Sequence, residues 1–203
     1  MPRNILFGLI AAVAAALGLA VGAMLLQPKG IAIASGTLLQ TPRPLPDFTL
    51  TDQDGQAFTR QQLGGKWTLV FAGFTYCPDV CPATLSLLKA VKARLGPQAG
   101  QLQVLLLSVD PGRDTPERLK TYVRFFDPSF LAATAPDAEL EKLARAMSFV
   151  YAKVPGADAD SYTMDHSTAL MLINPQAELA GFFTAPLKAD TLSADLSALL
   201  GKV

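Results

Sequence analysis

Scarcity bounds the chemistry open to this chain. Its 203 residues include two cysteines, Cys77 and Cys81, and one histidine, His166, so any thiol or imidazole chemistry must pass through those three. Charge of neither sign is in excess: 17 basic residues balance 17 acidic ones, leaving no summed field to draw nucleic acid or an acidic partner to the surface. Nucleic-acid binding is excluded on that ground. No internal repeat is present. Half of the residues are apolar, and the length suits one domain with a real core plus an amino-terminal segment.

From Ile5 to Leu26 the sequence has no charged residue, and the run exceeds the roughly 20 residues that span a bilayer core. It reads as a single transmembrane helix. A signal peptide competes, because Ala32-Ile33-Ala34 imitates a small-residue cleavage site, although signal apolar runs are usually about 7 to 15 residues. Arg3 and the free amino terminus precede the run while Lys29 alone closely follows it, which favours an amino terminus inside and a domain outside the cytoplasm. The leader lacks the Arg- and Ser-rich amphipathic character of an organelle transit segment, so a bacterial inner membrane with a periplasmic domain is expected over a mitochondrial one. The expected map is a stub at 1–4, an anchor at 5–26, a Pro/Gly linker at 27–45 and a globular domain at 46–203.

Within that domain, Phe48-Thr49-Leu50, the Asp54-Gly55 turn and Phe58 predict a hairpin. Trp67 to Phe74 predicts a buried strand, broken at Thr75-Tyr76-Cys77-Pro78 and followed by a helix from Pro78 carrying Leu85, Leu88, Val91 and Leu95. Val104 to Val109 predicts a second strand, and Asp114-Thr115-Pro116-Glu117 the start of a second helix. A strand at Phe130 to Ala133, a helix at Asp137 to Met147 and a strand at Phe149 to Val154 follow. Ala169 to Ile173 and Leu179 to Phe183 predict a terminal hairpin, and Leu187 to Leu200 a last helix. A parallel β-α-β opening joined to a closing hairpin and helix is an α/β, thioredoxin-like fold, here with an amino-terminal β-hairpin and an inserted helix.

Cys77 and Cys81 are four residues apart at the start of a helix, where unpaired N–H groups and the dipole favour a thiolate. If the strand from Ala169 runs antiparallel to the one ending at Phe74, His166 meets the same sheet edge and faces both sulfurs. Two thiolates and an imidazole make a soft, low-coordinate set suited to Cu(I), with Cu(II) accommodated by an added oxygen ligand. Zinc competes, since two Cys and one His with an open position also form catalytic zinc sites. Asp165 is a candidate to orient the imidazole, and Asp79 or Met164 to approach the metal. The plainer alternatives are a structural disulfide, weakened because it would close a very short loop, and an ordinary surface histidine. Asp110 and Asp114 read as turn and helix-cap residues, and Met147 and Met171 as core.

Cys77-Pro78-Asp79-Val80-Cys81-Pro82, Ser108-Val109-Asp110-Pro111-Gly112-Arg113-Asp114-Thr115-Pro116 and Asp165-His166-Ser167 together resemble three signatures of the Sco/SenC family of copper proteins, in family order. The resemblance runs from about Pro46 to the carboxyl end, with Met164 a mild departure where many members carry a β-branched residue. It implies a membrane-tethered metallochaperone, not an enzyme, that delivers copper to the binuclear CuA centre of cytochrome c oxidase, with Cys77, Cys81 and His166 as copper ligands. Implied partners are the CuA-bearing oxidase subunit and, further off, another copper chaperone or a thioredoxin-like reductant. A rival function of another class is a thiol-disulfide oxidoreductase using Cys77 and Cys81 as a redox-active dithiol to reduce the CuA-site cysteines. Against it stand the CxxxC spacing and a histidine where thioredoxins carry a proline. A peroxidase of related fold is a third reading, with no cysteine marked as a peroxide-reactive centre.

Overall fold

The computed structural model describes residues 33–158 and 161–201, with residues 2, 7, 12–19 and 21–22 of the amino-terminal segment. From residue 33 onward the chain forms β1 (Gly36–Pro44), β2 (Thr49–Asp52), β3 (Ala57–Thr59), β4 (Trp67–Gly73), α1 (Val80–Leu95), β5 (Leu102–Ser108), α2 (Pro116–Phe126) and β6 (Leu131–Thr134). It continues through α3 (Asp137–Met147), β7 (Tyr151–Pro155), β8 (Tyr162–His166), β9 (Leu170–Ile173), β10 (Glu178–Phe183) and α4 (Ala189–Leu200).

The two densest apolar runs become the centre of the sheet. β4 and β5 lie side by side and parallel, Leu69 opposite Val104 and Phe71 opposite Leu106, and β6 extends the parallel part. Leu69, Val70, Phe71 and Ala72 are all fully buried, so both faces of β4 are covered. β9 pairs antiparallel on the other side of β4, with Phe71 opposite Leu170, and β10 follows it. The order β1-β10-β9-β4-β5-β6-β2-β3 thus joins a parallel β-α-β unit to a closing antiparallel hairpin, the thioredoxin-like plan expected. α1 packs against α4 and α2. The opening hairpin is also present. Gly55 adopts φ +76° between β2 and β3, and the Asp52 carboxylate accepts the N–H groups of Asp54 at 2.9 Å and Gln56 at 2.8 Å.

Several expectations are corrected. Residues 36–44, assigned to the linker, are β1, an edge strand antiparallel to β10; Pro42 and Pro44 are tolerated because an edge leaves one row of N–H groups unpaired. Residues 27–32 of that linker lie outside the described residues. So does much of the apolar run 5–26; its residues 12–19 and 21–22 are helical, and among the described residues no helix is long and apolar enough to cross a membrane. α1 begins at Val80 rather than Pro78. Tyr162–His166, where the sequence pattern predicts no element, is β8, and with β7 it makes a separate two-stranded sheet.

The start of β1 is held by one side chain of the last helix. Asp195, 6% exposed, accepts the N–H of Ala34 at 2.8 Å, the N–H of Ser35 at 2.7 Å and the Ser35 hydroxyl. Burial pushes this carboxyl up, but the three hydrogen bonds together outweigh it, and its pKa falls below the ordinary aspartate value. A lowered folded-state pKa gives stability that is present above the unfolded value, near 3.9, and lost as pH falls through the folded one. Asp195→Ala is expected to cost about 1–2 kcal/mol in urea unfolding at neutral pH, with the difference from wild type shrinking below about pH 4.

Candidate metal centre

β4 ends at Gly73 in the middle of the sheet, and the chain turns through Phe74, Thr75 and Tyr76 before entering α1. That turn places Cys77 just outside the helix and Cys81 in its first turn. From the other side β8 ends at His166, ahead of β9, which is registered on β4. Two sulfurs and one imidazole nitrogen therefore converge, all within 4.8 Å of one another, the one such grouping of His, Cys, Asp and Glu among the described residues. Three donors arranged around one ion at bond lengths of about 2.0–2.3 Å lie roughly 4 Å apart, so the trio stands within about an ångström of closing on a metal.

The imidazole is aimed and tautomerically fixed. Nδ1 lies 3.1 Å from the Ser167 carbonyl, which only accepts, so Nδ1 carries the proton and Nε2 keeps a lone pair. Nε2 is 3.5 Å from the Cys81 sulfur. The rings of Phe71 and Phe74 meet the imidazole edge-on at 5.8 and 5.9 Å and leave it little room to turn. Asp165, the carboxylate expected to orient this ring, is exposed and does not touch it; a backbone carbonyl does the work instead. Asp79 is exposed and outside the cluster. Met164 lines a separate cavity of about 800 Å³ with Val109, Phe149 and Tyr162.

The two cysteines differ. Both are free thiols, but Cys81 is 0% exposed while Cys77 is half-buried; the Cys77 sulfur accepts the Cys81 N–H at 3.4 Å. Burial pushes the Cys81 thiol up, far above its ordinary range, which overturns the expectation that the helix start makes it a ready thiolate. A sulfur sealed from water loses more from desolvation than the first turn of a helix returns.

Two carboxylates assigned to turns and caps do more than that. The cap of α2 is Thr115, which accepts the Arg118 N–H at 3.3 Å. Asp114 instead accepts the N–H and hydroxyl of Thr75, two residues before Cys77. Asp110 forms the expected turn and also pairs with Arg113 and the Tyr162 hydroxyl. Nothing local in the sequence separates a capping Asp from one reaching back to a preceding strand.

The profile of the SCO1/SenC family matches residues 37–201. The chain belongs to the SCO1/SenC family. It is 37% identical over 168 residues to a relative from Stutzerimonas stutzeri, the match covering 82% of each chain. Arabidopsis thaliana ScoI with copper bound superposes with TM-score 0.72 at 31% identity, over 78% of this chain and 98% of that one. Bradyrhizobium japonicum ScoI with copper bound gives TM-score 0.68 at 37% identity, over 75% and 97%.

One residue in this SCO1/SenC site had no signal as a functional position. A Cβ on Gly73 would stand 2.9 Å from the Cys81 sulfur, 3.0 Å from a ring carbon of Phe71 and 3.1 Å from a methyl of Leu106. The missing side chain is the slot in which the buried sulfur sits. Gly73→Ala is expected to destabilise the fold by about 1–3 kcal/mol through overpacking. It is also expected to weaken metal binding by the three donors about tenfold by displacing the sulfur from Nε2, as changes behind a metal ligand do. Thermal unfolding and chelator competition on the same preparation separate the two effects.

Proposed function

We propose that this protein is a metallochaperone that holds one copper ion between Cys77, Cys81 and His166 and delivers it to the CuA centre of cytochrome c oxidase during assembly. The observation that carries the reading is the convergence of the three donors, in a family whose solved members include copper-bound ones. The donor set fits the cargo: two sulfurs and a neutral imidazole with its lone pair directed inward suit a soft ion of low coordination number. Copper, as substrate, leaves by ligand exchange, the acceptor's thiolates entering on the side of the half-buried Cys77 while Cys81 remains sealed beneath. The apolar run 5–26 serves in this proposal as the anchor to the bacterial inner membrane, with the stub 1–4 in the cytoplasm and the domain in the periplasm.

A second reading, reduction of the CuA-site cysteines, is favoured by the two free thiols within reach of each other. In that reaction Cys77 and Cys81 become a disulfide, and two electrons and two protons pass to the acceptor's disulfide.

Titration of the purified full-length protein with copper, beside a competing chelator, tests the main reading. One copper per chain and a coloured Cu(II)–thiolate band are expected; preferential retention of colourless zinc, or copper uptake that survives replacement of both cysteines, defeats it. Alkaline washing of membranes tests the anchor: recovery in the wash with a new amino terminus near Ala34 would mean a cleaved signal instead.

A further inference from the structure

The second signature, Ser108 to Pro116, contributes no donor atom to the metal centre, yet it holds two of the most deeply buried carboxylates in the described chain: Asp114 at 1% and Asp110 at 2% exposure. A turn does not require buried carboxylates, and burying them is costly unless each is fully hydrogen-bonded. Both are, and their partners lie on opposite sides of the site.

Asp114 faces the cysteine side. It accepts the Thr75 N–H at 3.0 Å, the Thr75 hydroxyl at 2.6 Å and the Ser108 hydroxyl at 2.6 Å. Asp110 faces the histidine side. It accepts the Tyr162 hydroxyl at 2.8 Å and pairs with Arg113, whose Nη1 donates to the Tyr162 carbonyl at 3.0 Å. The same guanidinium lies 3.7 Å over the Tyr162 ring. Thr75 is two residues before Cys77, and Tyr162 begins the strand that ends at His166.

The turn between these two grips is itself stiff. The N–H groups of Arg113 and Asp114 both donate to the Asp110 carbonyl, at 3.1 and 3.0 Å, and the Asp110 N–H donates to the Ser108 hydroxyl at 3.2 Å. The hairpin that carries His166 needs such a hold, because β7 and β8 pair only with each other and not with the main sheet. The bonds between Ser167 and Val150 close the hairpin on itself rather than fasten it to the body.

We infer that the Ser108–Asp114 turn is a brace that sets the distance between the cysteine loop and His166, with Asp114, Asp110 and Arg113 as positioning residues acting through Thr75 and Tyr162. Its consequence for copper rests on the ligand reading above; its mechanical part does not.

The test uses full-length protein and three small changes: Thr75→Val, which loses one hydroxyl; Thr75→Ser, which keeps it; and Tyr162→Phe, which loses only the phenol. In the metal-free state, amide hydrogen exchange is expected to quicken severalfold at residues 75–81 in Thr75→Val while 162–166 stay as in wild type, and the reverse in Tyr162→Phe. Each loss variant is expected to weaken Cu(I) binding about tenfold, the lower end for changes behind metal ligands, and Thr75→Ser to behave as wild type. Thr75→Val combined with Asp114→Asn is expected to weaken binding no further than Asp114→Asn alone, because the Thr75 hydroxyl acts through Asp114. Exchange that rises uniformly or not at all overturns the brace, as do unchanged Cu(I) affinities in variants of a wild type that binds one copper. If wild type binds no copper but exchange follows the two-sided pattern, the ligand reading falls and the brace stands.

Discussion

His166→Ala is expected to lower Cu(I) affinity by more than about 100-fold, beyond the range for changes behind a ligand, while the protein stays folded. The ring is half-buried at the end of the small hairpin and packs edge-on against Phe71 and Phe74, whose own burial is in the main core. Its removal costs contacts worth about 1–2 kcal/mol and no sheet pairing. What it does remove is the one nitrogen donor, held by the Ser167 carbonyl in the tautomer that presents a lone pair to the sulfurs. The same variant divides the two functional readings. A protein acting as a dithiol reductant retains most of its ability to reduce a disulfide in the oxidase subunit, since both thiols remain. A copper donor loses metal retention and oxidase maturation together. Chelator competition on purified protein and oxidase activity in a strain lacking the native gene read the two outcomes; intact oxidase assembly with His166→Ala would remove the case for copper delivery.

How much of this was legible beforehand depends on where each signal sits. The central sheet was legible because β4 and β5 bury both faces, and a strand with both faces covered has a continuous apolar run, as in Leu69-Val70-Phe71-Ala72. The closing hairpin was legible for the same reason, with Leu170 to Ile173 wholly buried. β1 was not, because an edge strand containing Pro42 and Pro44, with no buried residue, has the composition of a linker. β8 was missed for a related reason: only Met164 of its five residues is buried, so no apolar period marks it. The convergence of Cys77, Cys81 and His166 followed from topology once β9 was placed antiparallel to β4. The partners of those residues did not follow, because a backbone carbonyl at Ser167 and a vacant Cβ position at Gly73 are not side-chain signals at all. The roles of Asp110 and Asp114 were hidden by a different ambiguity, since aspartate before Thr-Pro is as good a cap as it is an acceptor for a strand thirty-odd residues back.

The inequality of the two thiols leads to the other large expected effect. With the native, metal-free protein, iodoacetamide is expected to modify Cys77 at least about 100-fold faster than Cys81, because only thiolate that solvent can reach reacts. Cys81 fails on both counts: it is 0% exposed beneath Gly73 and Phe71, and burial pushes its thiol up so that it stays protonated at neutral pH. Unfolding in urea should erase the difference, which peptide mapping of the alkylated protein measures directly. The sign of the pH effect on metal binding follows from the same burial. A thiol held in its protonated form must release that proton when copper binds, so affinity rises with pH through the neutral range rather than falling. Equal labelling of the two cysteines in the native state would mean that the cysteine loop opens freely, and a loop that opens freely could not hold one sulfur back while the other is exchanged to an acceptor.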